Sequence, residues 1–303
     1  MRLRWKKSIC LTKVTQSFLV TNISCTSVRM IPQVRISFRA RALVYSLSLF
    51  AALAADGYEL FSQPPAPFTN RMWGGAKVIW HQNLFVSQAM SREESLLKAK
   101  YSQGTKGPLV LVTVQHKILG QDGTLAVTEE RNFVYRRDKL DLSTSPPPQQ
   151  PQQPQLEQDP MFSGKADWEE TVYPDAKGLF QYSALTYNSH LIHYNETYTK
   201  QVEGYPDLLV HGPLTSTLLM SHFLRSKKKQ HPHHTRIQPL KFTYRAHHPL
   251  FNNQPILLSA EDAKNRISLE AGISACRVWA SNPQGVIAMS GIVHYTSHHT
   301  RKE

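Results

Sequence analysis

The sequence predicts an α+β fold in which antiparallel strands gather around a buried helix, and three observations carry that reading. Leu214 to Phe223 is rich in leucine, with threonine and serine interspersed. It follows His211-Gly212-Pro213, where proline at the first helical position gives up only an N–H that would lack a partner anyway. Runs of β-branched and apolar residues lie on both sides of this helix. A proline- and glutamine-rich stretch, Ser143 to Asp159, separates two strand-rich halves.

Taken in order, residues 1–55 carry nine Lys or Arg and no Asp or Glu, so of the net charge of +13 only +4 (13 − 9) belongs to the remainder. A basic, acid-free, Ser/Thr-bearing start predicts a mitochondrial transit peptide over 1–55 and a matrix location. Ala42 to Ala55 is apolar but shorter than the ~20 residues of a spanning helix. It reads as a buried helix, with no stable membrane insertion. Ala76 to Phe85 partly alternates after a Gly pair and predicts a strand, whereas Ser87 to Tyr101 has a helical composition. Pro108 to Leu119 and Leu125 to Arg137 read as strands joined at Gln121-Asp122-Gly123.

The Pro/Gln stretch has too little apolar surface to offset its ordering entropy and predicts an extended linker over 143–165. The halves it separates are expected as modules over 56–142 and 166–297. Trp168 to Asp175 leads into the second, and Gly204-Tyr205-Pro206-Asp207 is a turn. Arg225 to His234 reads as a surface loop. Ile237 to Ala246, Pro255 to Ala260, Ile267 to Ala280 and Val286 to Tyr295 supply four further strands.

Cys10 and Cys25 fall in the leader, leaving Cys276 in an apolar run. No Cys-x-x-Cys spacing suggests zinc, and a lone apolar cysteine reads as core. No metal site is expected. Leu208 to Ala260 holds no acidic residue but carries Arg225, Lys227, Lys228, Lys229, Arg236, Lys241 and Arg245. Such a stretch would steer anionic ligands or, over Lys227 to Lys229 above all, be a solvated loop. No nucleic-acid-binding motif accompanies it, so no nucleic acid is expected. His231, His233 and His234 sit in the predicted loop and suggest no catalytic centre.

The chemistry concentrates between Phe180 and Leu219. His193 is a base whose ordinary pKa lies near neutrality, and the N–H groups opening the helix at Gly212 favour negative charge on an oxygen. Base and oxyanion site together suit proton abstraction beside a carbonyl.

These residues also carry a resemblance. YSALTYNSHLIHYN over 182–195, followed by EGYPDLLVHGPL over 203–214, resembles the MaoC-like (R)-specific hydratase/dehydratase group, nearest the mitochondrial type 2 3-hydroxyacyl-thioester dehydratases and mesaconyl-C4-CoA hydratases. Asn70-Arg71-Met72-Trp73-Gly74-Gly75 is a weaker upstream echo. The resemblance implies a double hot dog, an antiparallel sheet wrapped around a central helix twice, with a degenerate first module and a catalytic second one. It implies a dehydratase that removes water from a 3-hydroxyacyl thioester carried by acyl carrier protein in fatty-acid synthesis. Alternatives are a hydratase of the mesaconyl-C4-CoA type and a catalytically decayed thioester-binding scaffold. No cofactor is implied beyond the phosphopantetheine of the carrier protein or of coenzyme A, and a homodimer is possible.

His193 is then the expected acid–base residue, with Asn188 orienting it and Gly212 supplying an oxyanion donor. His190, His211, Arg225 and Lys227 are the expected substrate-binding residues. The group's usual Gly-Asp-x-Asn-Pro-x-His pattern is replaced here, with Tyr187, Asn188, His190 and Leu191 standing for its Gly, Asp, Asn and Pro. A two-residue Asp/His mechanism is therefore not expected.

Overall fold

The computed structural model describes residues 53–58, 60, 62–85, 89–104, 107–137, 164–230, 235–263 and 272–299. The expected leader and its apolar segment, apart from residues 53–55, lie outside the described residues. So do the Pro/Gln stretch and His231, His233 and His234.

Among the described residues nine strands form a single antiparallel sheet: β1 (Asn70–Trp80), β2 (Ser91–Gly104), β3 (Gly107–Leu119), β4 (Leu125–Arg136), β5 (Trp168–Val172), β6 (Thr235–Ala246), β7 (Ile256–Asp262), β8 (Ile273–Ser281) and β9 (Ile287–His299). Their spatial order is β2-β3-β4-β1-β6-β9-β8-β7-β5. Between β5 and β6 come α1 (Ala176–Thr186), a 3₁₀ turn (Leu191–His193), α2 (Glu196–Gln201) and α3 (Gly212–Gln230). Among the described residues no helix is long and apolar enough to cross a membrane.

The two halves meet where β1 pairs with β6, Gly75 opposite Arg245 and Ala76 opposite Tyr244. A bulge between Trp73 and Gly75 shifts the register of β1 against β4 at the same point. Gly75 has φ +128°, and a Cβ there would lie 2.2 Å from the Tyr244 carbonyl oxygen, so only glycine fits this seam.

The long helix α3 packs on β6, β7 and β8. Its buried residues, Thr215, Leu219, His222, Phe223, Ser226 and Lys227, recur at helical spacing along one face. Leu219 and Phe223 join Phe242, Leu258, Val278, Met289, Val293 and Tyr295 in the main core. A smaller core in the first half comprises Phe68, Val110, Val112, Val114, Phe133 and Tyr135. The described residues of that half contain four strands and no helix; the apolar stretch expected as a helix, residues 42–55, lies outside them apart from residues 53–55.

Three local features differ from the sequence reading. Residues 91–101, helical by composition although the resemblance implies a strand there, form most of β2, because residue-by-residue pairing with β3 overrides a weak intrinsic preference. Its charged, largely exposed residues suit a sheet edge. Arg225 to Gln230 is the end of α3, not loop; Lys227, Lys228 and Lys229 occupy its last turn, where cations complement the helix dipole. The third, α1, was not anticipated. It begins at Asp175, whose carboxylate accepts the Gly178 N–H at 2.7 Å, and ends at Tyr187 in the left-handed conformation (φ 55°).

Candidate active site

The segment after α1 is built from short capping interactions. Asn188 N–H donates to the Ser183 carbonyl at 2.9 Å, closing the helix end. The Asn188 side-chain oxygen then accepts the His190 N–H at 3.2 Å. The 3₁₀ turn follows, and Asn195 caps α2 by accepting the Tyr198 N–H at 2.9 Å. Beyond the Gly204–Asp207 turn the chain comes back: Leu209 N–H donates to the Ile192 carbonyl at 3.0 Å and Val210 N–H to the Leu250 carbonyl at 2.8 Å. This return brings Leu209 against His193 and delivers His211 beside it.

Three histidines converge. The rings of His193 and His211 are stacked at 3.6 Å between centroids with 19° between planes, and His190 meets His193 edge-on at 5.7 Å. All three are buried, His211 completely. His193 Nδ1 lies 2.8 Å from the Leu209 carbonyl oxygen. A carbonyl can only accept, so neutral His193 carries its proton on Nδ1 and leaves Nε2 as the basic nitrogen.

Burial lowers the His193 pKa to about 4, against the opposing bond to Leu209. Burial also lowers His190 to about 3 and His211 to about 2, aided by the neighbouring histidines and, for His190, by Arg71. The cluster is neutral at physiological pH. His211 Nε2 is 2.8 Å from the Ser183 hydroxyl, and its buried Nδ1 has no hydrogen-bond partner among the described residues. Tyr182 packs on the same ring at 4.9 Å.

Gly212 opens α3 directly after His211. An α-helix leaves its first N–H groups without intrahelical acceptors, and Pro213 has none to offer, so the Gly212 and Leu214 N–H groups are the donors here. A Cβ on Gly212 would lie 2.5 Å from Cδ1 of Trp73, so the residue must be glycine for α3 to begin against β1.

The site also takes residues from the first half that sequence reasoning did not assign. His190 Nε2 is 3.5 Å from the Asp56 carboxylate, and its ring meets Tyr58 edge-on at 4.9 Å. Leu191 N–H donates to the Asp56 carbonyl at 2.9 Å, and the Ser189 hydroxyl to the Gly57 carbonyl at 2.5 Å. Arg71 lies over the Tyr58 ring. The signal available in the sequence was the Asn70–Gly75 echo, which contains both Arg71 and Trp73.

His190, His193, His211 and Gly212 are thus brought together. Asn188 is adjacent, but its side chain holds the backbone of the turn rather than the His193 ring. Arg225 and Lys227 are not brought to this point. They lie 13 and 15 residues beyond Gly212, about 20 Å along the helix at 1.5 Å per residue. Arg225 donates to Glu170 at 2.7 and 3.1 Å. Lys227, predicted to be on a loop, is fully buried, paired with Asp262 and set over the Trp168 ring at 4.6 Å. Cys276 is buried in the core as expected, its thiol pushed up to about 12 by burial.

Comparisons with known proteins give the family. Residues 40–252 match the family described as hydroxyacyl-thioester dehydratase type 2. The chain is 35% identical over 230 residues to mesaconyl-C(4)-CoA hydratase of Chloroflexus aurantiacus, covering 76% of this chain and 72% of that one. It is 27% identical over 238 residues to the mitochondrial hydroxyacyl-thioester dehydratase type 2 of Schizosaccharomyces pombe, covering 70% and 73%. Among solved structures, a Mycobacterium tuberculosis protein with a double hotdog fold superposes with a TM-score of 0.50 at 12% identity, covering 77% of each chain. With that family match over most of its length and that identity to the Chloroflexus hydratase, the chain belongs to the hydroxyacyl-thioester dehydratase type 2 family of hydratases and dehydratases.

Proposed function

We propose that the chain interconverts 3-hydroxyacyl and trans-2-enoyl thioesters, with His193 as the acid–base residue. The observation that carries this reading is the His193 tautomer: Nδ1–H is held on the Leu209 carbonyl, leaving Nε2 basic in a buried, neutral histidine cluster at the start of α3. In the dehydration direction Nε2 takes the α-proton, breaking the C2–H bond. The electron pair moves toward the thioester oxygen, which the Gly212 and Leu214 N–H groups stabilise. As C2=C3 forms, the C3–O bond breaks and the departing hydroxyl takes the proton from Nε2, leaving as water.

General acid–base catalysis contributes about 10²- to 10⁴-fold and one oxyanion donor about 3 kcal/mol, so the two act together. His211 Nδ1, buried against the same ring, is positioned to bond the substrate. Asn188 acts through the backbone of the turn.

The physiological reading is a mitochondrial dehydratase working on acyl carrier protein in fatty-acid synthesis, supported by the basic, acid-free leader and the fission-yeast relative. A second reading, hydration of a dicarboxylic CoA thioester, is favoured by the higher identity to the Chloroflexus hydratase.

The test is the interconversion assayed on carrier-protein and CoA thioesters with wild type and His193→Gln. The variant is expected to lose at least 10²-fold in kcat with an unchanged melting temperature. Wild-type kcat/KM should hold its value as pH falls through 6.5, declining only toward about 4. A His193→Gln variant that turns over near the wild-type rate would overturn the assignment.

A further inference from the structure

A short turn of the first half is fastened to the loop that carries the histidines. It is closed on itself by the Ala54 N–H on the Tyr58 carbonyl at 2.7 Å and the Gly57 N–H on the Ala54 carbonyl at 2.9 Å. Its Asp56 and Gly57 carbonyls receive the Leu191 N–H at 2.9 Å and the Ser189 hydroxyl at 2.5 Å. The clamp delivers the Asp56 carboxylate to a histidine motif that has no aspartate of its own.

Each carboxylate oxygen has a separate task. Oδ1 accepts the Tyr58 N–H at 3.1 Å, a turn that fixes the group on its own backbone. Oδ2 lies 3.5 Å from His190 Nε2, and the Tyr58 ring meets the same imidazole edge-on at 4.9 Å. Burial, with His193 and Arg71 nearby, lowers the His190 pKa to about 3, so at physiological pH the ring is neutral and carries a single proton. The contact is thus a neutral ring on an anion, not an ion pair. A carboxylate can only accept, which puts that proton on Nε2 and leaves Nδ1 with a lone pair. Contacts of this kind are often long before substrate arrives.

The tautomer restricts what His190 can bind. A ring bearing Nδ1–H would donate to a thioester oxygen, whereas a ring with a lone pair at Nδ1 accepts from an O–H group. His190 stands edge-on to His193 at 5.7 Å, beside the base that acts on C2. We propose that Asp56 is a positioning residue that holds His190 as the acceptor for the hydroxyl that leaves C3, or for the water that adds there. This inference rests on the hydratase/dehydratase reading of the His193 site and gives the reacting hydroxyl a partner within it.

Binding of 3-hydroxybutyryl-CoA and of butyryl-CoA, which lacks the hydroxyl, would be measured by calorimetry on His193→Gln, alone and combined with Asp56→Asn. The amide keeps an oxygen for the Tyr58 N–H and leaves the main-chain clamp in place, but its NH2 can donate to Nε2 and release the tautomer. His193→Gln is expected to bind the hydroxyacyl thioester about 10-fold more tightly than butyryl-CoA. Adding Asp56→Asn should erase that preference while butyryl-CoA affinity stays within about two-fold. Nitrogen-15 spectra of His190, assigned with His190→Gln, should show Nε2–H in the first protein and a shift toward Nδ1–H in the second. An unchanged preference, an unchanged tautomer or an equal loss of affinity for both thioesters would overturn the proposal. A folded wild type that hydrates no enoyl thioester would instead defeat the underlying reading of His193.

Discussion

At the scale of single residues, the proposed site is built from histidines that burial keeps uncharged. His193 keeps a basic nitrogen because its other nitrogen is committed to a main-chain carbonyl, and His211 is held against it by the Ser183 hydroxyl. Two imidazoles stacked at 3.6 Å cannot both be protonated without strong repulsion, so the stack itself favours the neutral base. Ser183→Ala removes the partner of a fully buried nitrogen while leaving His193 in place. The expected result is a loss of about 1–3 kcal/mol in urea unfolding. The accompanying fall in kcat should be smaller than that of His193→Gln. A variant as stable as wild type would show that the Ser183–His211 bond does not hold the stack.

At the scale of elements, the site depends on the contact between the start of α3 and β1. Trp73 occupies the volume that a side chain at position 212 would need, with three ring or Cβ atoms at 2.5 to 3.1 Å. Gly212→Ala is expected to displace the helix start, costing about 1–3 kcal/mol and most of the activity. Trp73→Leu introduced alongside it should restore part of the stability, giving a coupling term in the double-mutant cycle. Melting temperatures of the four proteins test this, and strictly additive effects would contradict it.

Across the whole molecule, His116, His190, His193 and His211 are all buried, and burial depresses the pKa of each, to about 2, 3, 4 and 2. The unfolded chain, with histidine near 6.5, binds more protons than the folded one at any pH between the folded values and 6.5. Stability from this source is therefore fully present above about 6.5 and declines as pH falls, by up to about 1.4 kcal/mol per pH unit for each histidine. Urea midpoints at pH 7.5 and 5.5 should show a marked loss at the lower pH. Equal midpoints would contradict the buried, neutral state of the cluster.

The sequence by itself determined the helix entry at His211-Gly212-Pro213 and the main strand runs of both halves, and it singled out His193 as the proposed base, because turn chemistry, β-branched runs and titratable groups are local properties. It did not determine which distant residues surround that base. Residues 91–101 became a strand because a partner strand was available, and Arg225 and Lys227 left the site because helix rise carries them about 20 Å from it. Asp56 and Tyr58 meet His190, and Trp73 meets Gly212, where β1 pairs with β6 across the seam at Gly75. That pairing joins residues far apart in the chain, and no local pattern encodes a contact whose energy exists only once the sheet has formed.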